Sequence, residues 1–104
     1  MNKIESDSER FDRYKKTLLE IIHKELPTCK VYLFGSRARN DHNSGSDIDI
    51  AIDTGAPISY KTIYKIKDII DETTIPLNVD LVDFNTTTGR FREEIEKEGI
   101  LWTN

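Results

Sequence analysis

Apolar positions recur along this chain with two periods, and the period changes from segment to segment. Phe11, Tyr14, Leu18, Ile21 or Ile22, and Leu26 fall at helical spacing. Ser6-x-x-Glu9 ahead of them is a capping box, so a first helix is predicted from about Asp7 to Lys24, ended by Pro27. Val31–Phe34 is short, β-branched and aromatic, and reads as a buried strand. Ser46-Asp-Ile-Asp-Ile-Ala-Ile52 alternates strictly, and in a strand residues i and i+2 share a face. Ile48, Ile50 and Ile52 should therefore be core, with Asp47, Asp49, Ala51 and Asp53 on the other face. Thr54–Pro57 is a loop. Ser59 should cap a second long helix reaching about Glu72, with Ile63, Ile66, Ile69 and Ile70 as its buried stripe. Tyr60 and Tyr64 are expected to be part of that packing. Leu77–Phe84 is a further strand, and Thr87 or Thr88 begins a last helix with Phe91 and Ile95 facing in. Gly99 is expected to close it as a left-handed C′ residue. Ile100–Trp102 reads either as a short strand or as an apolar tail. The alternation of strands with helices gives an α/β class, and no repeat or linker interrupts it, so residues 1–104 read as one domain.

The chemistry concentrates between Val31 and Ile52. Gly35 breaks the buried strand and allows close approach of backbone. Ser36 is a favoured N-cap residue, so a short helix should begin there, its free N–H groups suited to phosphate. Arg37 would then stand in the first turn, where a cation opposes the helix dipole unless an anion is bound. Taken alone, this is also an ordinary strand-to-helix turn with a solvated arginine. The carboxylates change that picture. Asp47 and Asp49 would stand about 7 Å apart on one strand face. That spacing lets both lean onto metal ions about 3.5–4 Å apart, as in two-metal phosphoryl transfer. Oxygen ligands on a rigid element suit Mg²⁺, with substrate phosphates completing the shell. A plain exposed face carrying two acids is the bland reading, and Asp is depleted in strands.

Gly35-Ser36, ten residues, then Asp47-x-Asp49 resembles the signature of the nucleotidyltransferase superfamily that includes DNA polymerase β. The fuller string GSRARNDHNSGSDIDI is similar to the minimal nucleotidyltransferases, small proteins often paired with HEPN-domain toxins. The resemblance runs from about Val31 to Asp83. It departs at Asn40, where the family usually has Gly; Asn also tolerates the left-handed conformation. The resemblance implies a polymerase β-like fold, a small mixed sheet flanked by helices. It also implies a third carboxylate on the strand after the second long helix. Asp80 and Asp83 point to opposite faces there, and parity alone does not choose between them. The family's carboxylate is the first Asp of a Val-Asp-Leu-Val-Asp string, which is Asp80.

The implied reaction is transfer of a nucleoside monophosphate, AMP from ATP, to a hydroxyl. Gly35, Ser36, Arg37 and Arg39 would bind the nucleotide. Asp47, Asp49 and Asp80 would be the catalytic groups and would hold two Mg²⁺ ions. The implied acceptor is a tyrosine of a HEPN-type partner, which would make this chain an antitoxin. Two other classes stay open to the sequence. A non-catalytic module that inhibits its partner by contact is compatible with the same sequence. A receiver-type phosphoacceptor would need an acid pair after its first strand and would give the Gly-Ser turn no role.

Composition sets the remaining bounds. The chain has 104 residues, one third of them charged, and a net charge of −4, which argues against bulk electrostatic binding to nucleic acid. No signal peptide or membrane span is evident, and the single Cys29 cannot form an internal disulfide, so a reducing cytoplasm is expected. Cys29 should be a small core or rim residue. His23 and His42 have no partners at zinc spacing. A catalytic palm with little besides leaves the acceptor to arrive in trans.

Overall fold

Ser6 and Glu9 set the start of the first helix reciprocally. The Ser6 hydroxyl accepts from the Glu9 N–H at 3.1 Å, and the Glu9 carboxylate accepts from the Ser6 N–H at 3.3 Å. The computed structural model describes residues 4–103. Helix α1 spans Asp7–Glu25 and ends at Leu26, just before Pro27. It buries Tyr14, Leu18 and Ile22. Strand β1 (Lys30–Phe34), helix α2 (Ser36–Arg39) and strand β2 (Ile48–Asp53) follow. Helix α3 (Tyr60–Asp71), strand β3 (Val79–Asp83), helix α4 (Gly89–Glu98) and strand β4 (Ile100–Leu101) complete the chain.

The strands form one mixed sheet in the order β3-β2-β1-β4. β1 runs antiparallel to β2, with Leu33 opposite Ile50 and Phe34 opposite Asp49. β3 is parallel to β2, with Asp49 opposite Asp80. A parallel pair needs a crossover, and α3 supplies it. β4 pairs with the outer edge of β1, so Ile100–Leu101 is strand rather than tail. Trp102 continues that edge by donating its N–H to the Val31 carbonyl at 2.7 Å, and its ring packs edge-on against Phe11.

Pairing keeps side-chain parity across the sheet, which sorts the core into two layers. Val31, Leu33, Ile48, Ile50, Ile52 and Val79 pack against α1 and α3, with Cys29 in the same cluster. The opposite face carries Phe34 and Ala51 against Ile95 of α4. The mixed sheet flanked by helices is the predicted architecture.

Three expectations need correction. Tyr60 and Tyr64 are not core: they are 76% and 60% exposed and stack on each other with ring centroids 5.3 Å apart. The buried residues of α3 are Ile66 and Ile70; Tyr64 stands about 200° round the helix from Ile66, so helical spacing alone placed the tyrosines on the wrong side. Phe91 is 47% exposed rather than turned inward, while Ile95 one turn later is buried. Gly99 is extended, not left-handed (φ −63°, ψ 137°). A Cβ there would collide with the Ile95 carbonyl, so close approach is what requires glycine at this position.

Among the described residues, no helix is long and apolar enough to cross a membrane.

Candidate active site

The backbone at Gly35 answers two demands at once. Its φ of +75° is left-handed, a region that costs an L side chain energy. A Cβ at Gly35 would also run into Oδ2 of Asp49 on the neighbouring strand. Gly35 therefore lets β1 turn sharply directly beside a carboxylate. It is Gly35, not Ser36, that occupies the N-cap of α2; Ser36 is the first helical residue. The N–H groups of Ser36 and Arg37 therefore open α2 without intrahelical partners, while those of Ala38 and Arg39 both donate to the Gly35 carbonyl at 3.1 Å. Asn40 closes the helix in the left-handed conformation (φ 61°, ψ 33°), its N–H donating to the Ser36 carbonyl.

Arg37 and Arg39 diverge. Arg37 is buried, 9% exposed. Its Nε donates to the Ser46 carbonyl at 3.1 Å, and its Nη2 donates to the Ser46 and Ser44 carbonyls at 2.9 and 3.3 Å. The guanidinium lies 4.7 Å from the Phe11 ring centroid, and burial draws its pKa below the usual arginine value. A rigid planar fork with several donors suits this bracing. Asn43 and Ser46 tighten the same loop: the Asn43 side-chain oxygen accepts from the Gly45 N–H at 2.9 Å, and the Ser46 hydroxyl accepts from the Asn43 N–H at 3.1 Å. The loop thus delivers Asp47 to the head of β2 in a fixed position. Arg39 turns to α4. Its Nη1 donates to Glu94 at 2.8 Å and to Glu98 at 3.2 Å, and its Nε donates to Asp41 at 3.2 Å. Those carboxylates hold its pKa above the ordinary value.

The three aspartates converge on the α4 side of the sheet. Asp47 is exposed immediately before β2, Asp49 is half-buried within it, and Asp80 is exposed directly across from Asp49 on β3. Asn78 donates to Asp80 Oδ1 at 3.1 Å. Burial pushes the Asp49 carboxyl up to about 6, helped by the charge of Asp80 and then of Asp47 and Glu94. Asp83 faces the other layer, where its carboxylate accepts from the N–H groups of Ile58 at 2.7 Å and Asn85 at 3.0 Å.

An open shelf of about 610 Å³ gathers Gly35, Ser36, Arg39, Asp47, Asp49 and Asp80. Arg37 is the one predicted site residue that does not line it; that side chain borders a separate cavity of about 470 Å³ behind α2. Phe91 and Glu94 line the shelf as well, and sequence reasoning missed them as site residues. They lie more than forty residues from Asp47, and only the position of α4 beside β1 brings them in. No local motif signals that placement.

Among the described residues, no three His, Cys, Asp or Glu side chains close into a tight ligand cluster. Asp47, Asp49 and Asp80 instead line an open shelf together. That donor set fits Mg²⁺, a hard cation that takes one or two carboxylates and keeps its remaining positions for water and phosphate oxygens.

Comparison with known proteins agrees with this geometry. The family profile described as "Polymerase beta, Nucleotidyltransferase" matches residues 16–103. A protein of Haemophilus influenzae named probable protein adenylyltransferase MntA is 35% identical over 77 residues, covering 74% of this chain and 68% of that protein. Among solved structures, a toxin–antitoxin crystal structure with AMP-PNP superposes with a TM-score of 0.72 at 21% identity, over 86% of this chain and 73% of the matched one. A tri-AMPylated Shewanella oneidensis HEPN toxin in complex with MNT antitoxin matches with a TM-score of 0.67 at 20% identity, over 86% and 70% of the two chains. At these identities the structural matches speak for the fold.

Proposed function

This chain belongs to the polymerase beta nucleotidyltransferase family, and we propose that it moves AMP from ATP onto a tyrosine hydroxyl of a HEPN-type toxin, silencing that toxin as its antitoxin. One observation carries the reading: the Gly35–Ser36 turn and the carboxylates of Asp47, Asp49 and Asp80 share a single shelf. The likeness to a relative named for protein adenylylation supports the acceptor class.

Asp47, Asp49 and Asp80 would hold Mg²⁺, which supplies neutralisation of the triphosphate and a lowered pKa for the acceptor hydroxyl. The first N–H groups of α2 and the Ser36 hydroxyl receive the outer phosphates. Gly35 keeps the backbone low enough for them to sit beside Asp49. Arg39, at the rim, offsets negative charge developing on the leaving pyrophosphate. Asp80 accepts the proton of the acceptor hydroxyl on a carboxylate oxygen. The hydroxyl oxygen bonds to the α-phosphorus, the bridging bond to the β-phosphate breaks, and pyrophosphate leaves. The protein's part is positioning and charge stabilisation. Arg37 serves this chemistry from behind, by bracing the loop that sets Asp47.

Mass spectrometry of the chain co-expressed with its toxin is the test. A gain of one AMP on a toxin tyrosine, absent with Asp47→Asn, is the expected result. An unmodified toxin fully inhibited by the Asp47→Asn chain would replace this reading with inhibition by contact.

A further inference from the structure

We infer that Phe91 is the surface on which the nucleobase of the bound nucleotide stacks. The inference rests on the nucleotide-transfer reading of the shelf and adds the subsite that reading leaves open. Phe91 is 47% exposed, whereas Ile95, one turn along the same face of α4, is 2% exposed. Exposure alone would be ordinary for a single apolar ring; what sets Phe91 apart is its surroundings. Its inner side is fixed: the ring meets Phe34 edge-to-face, with centroids 5.3 Å apart and an interplanar angle of 82°. Phe34 is itself buried and immediately precedes Gly35. The exposed part of Phe91 borders the shelf together with Ser36, Asp49 and Asp80. It is a held, flat aromatic surface in a cleft otherwise lined mostly by polar and acidic groups.

Two flat groups enter an AMP-transfer site, the base and the acceptor's aromatic ring. Strand order separates them. Phe91 stands over Phe34 on β1, Asp49 lies opposite Phe34 on β2, and Asp80 lies beyond it on β3. The acceptor hydroxyl belongs with Asp80, at the far side of the aspartates from Phe91. The ring therefore sits on the nucleotide's side. Base–aromatic stacking tolerates any base, because every base has a π-face, so Phe91 adds affinity for a nucleoside without choosing adenine.

Calorimetry on the full chain in Mg²⁺, with ATP and separately with inorganic tripolyphosphate, tests this. Phe91→Ala and Phe91→Leu should each weaken ATP by about tenfold and leave tripolyphosphate unchanged, while Phe91→Tyr should keep wild-type affinity for both. Leucine preserves apolar packing on Phe34 but has no π-face, so a Phe91→Leu chain that binds ATP like wild type would overturn the inference. Parallel losses for ATP and tripolyphosphate would overturn it too, since they would mean a disturbed shelf. Unchanged ATP affinity with a raised KM for the protein acceptor would assign the ring to the acceptor instead. A wild-type chain that binds tripolyphosphate but gains nothing from the nucleoside would refute the stacking subsite alone. Wild type binding neither ligand would remove the nucleotide reading beneath it.

Discussion

Asp49 and Asp80 lie directly opposite one another on the parallel β2–β3 pair, with Asp49 raised to about 6. Two carboxylates in cross-strand register repel unless a cation or a proton lies between them. In the metal-free protein a proton on Asp49 relieves that repulsion only below about pH 6. An unfolded aspartate titrates near 3.9, so between about 4 and 6 the folded chain holds a proton that the unfolded chain has lost. Stability therefore falls as pH rises through that window and carries the full penalty above it.

Asp49→Asn should accordingly be the more stable protein at pH 7 in EDTA. The gain should be about 1 kcal/mol once solvent screening is allowed for, or a rise in Tm of roughly 4–8 °C for a domain of this size. The two melting curves should converge as pH approaches 4. Nucleotide transfer should be lost at every pH. Thermal melts from pH 4 to 8 check it, and a variant less stable than wild type at pH 7 would mean that Asp49 is held by favourable contacts.

Asp80 and Asp83 should separate cleanly. Asp80→Ala removes an exposed carboxylate from the shelf and should abolish transfer with the fold intact. Asp83→Ala leaves the Ile58 and Asn85 N–H groups without their acceptor. That should cost roughly 1–3 kcal/mol of stability while most transfer activity survives at a temperature where the variant is folded. Urea unfolding and a labelled-nucleotide assay on both variants decide it; the reversed pattern would exchange their roles.

On the proposed reading Ser36→Ala should weaken triphosphate binding by more than monophosphate binding, because a helix start and its hydroxyl would meet the outer phosphates. Loss of one hydrogen bond to a charged group costs roughly 1.5–3 kcal/mol. Calorimetry with ATP and AMP in Mg²⁺ measures the difference, and equal losses would place the grip elsewhere.

Much of this site is legible in the sequence. Asp49 on the face opposite three isoleucines, with Asp47 just ahead of the strand, follows from strict alternation, because a period of two leaves a strand no other arrangement when one face is buried. Asn40 in the left-handed region was expected from its chemistry. Asp80 is not decided by pattern, since its strand is partly apolar on both faces; the resemblance selects it, and the β2–β3 register sets it opposite Asp49. Arg37 was unreadable for a different reason. An arginine after Gly-Ser looks like a phosphate ligand, and nothing local reveals that its donors are taken by carbonyls seven to nine residues ahead. Phe91 and Tyr60 show the complementary limit: helical spacing marks a stripe, but only the neighbours decide which end of the stripe is covered.

Arg37 gives the last prediction, one that separates a phosphate ligand from a loop brace. Its guanidinium satisfies the carbonyls of Ser44 and Ser46 from a buried position over Phe11. Lysine retains the charge but not the fork, and its ammonium is more strongly hydrated. Arg37→Lys should therefore destabilise the chain by roughly 1.5–3 kcal/mol, the cost of a lost hydrogen bond from a charged group. Asp47 is the residue that follows Ser46, so the loosened loop should also misplace that carboxylate. A metal ligand displaced by about 1 Å is enough to cost on the order of a hundredfold in rate. The expected signature is a lowered Tm with a fall in kcat and little change in ATP affinity when Mg²⁺ is saturating. A phosphate ligand predicts the opposite: an unchanged Tm and a raised Kd for ATP. Melting curves, calorimetry and transfer kinetics on Arg37→Lys, compared with Arg39→Lys at the rim, distinguish the two roles.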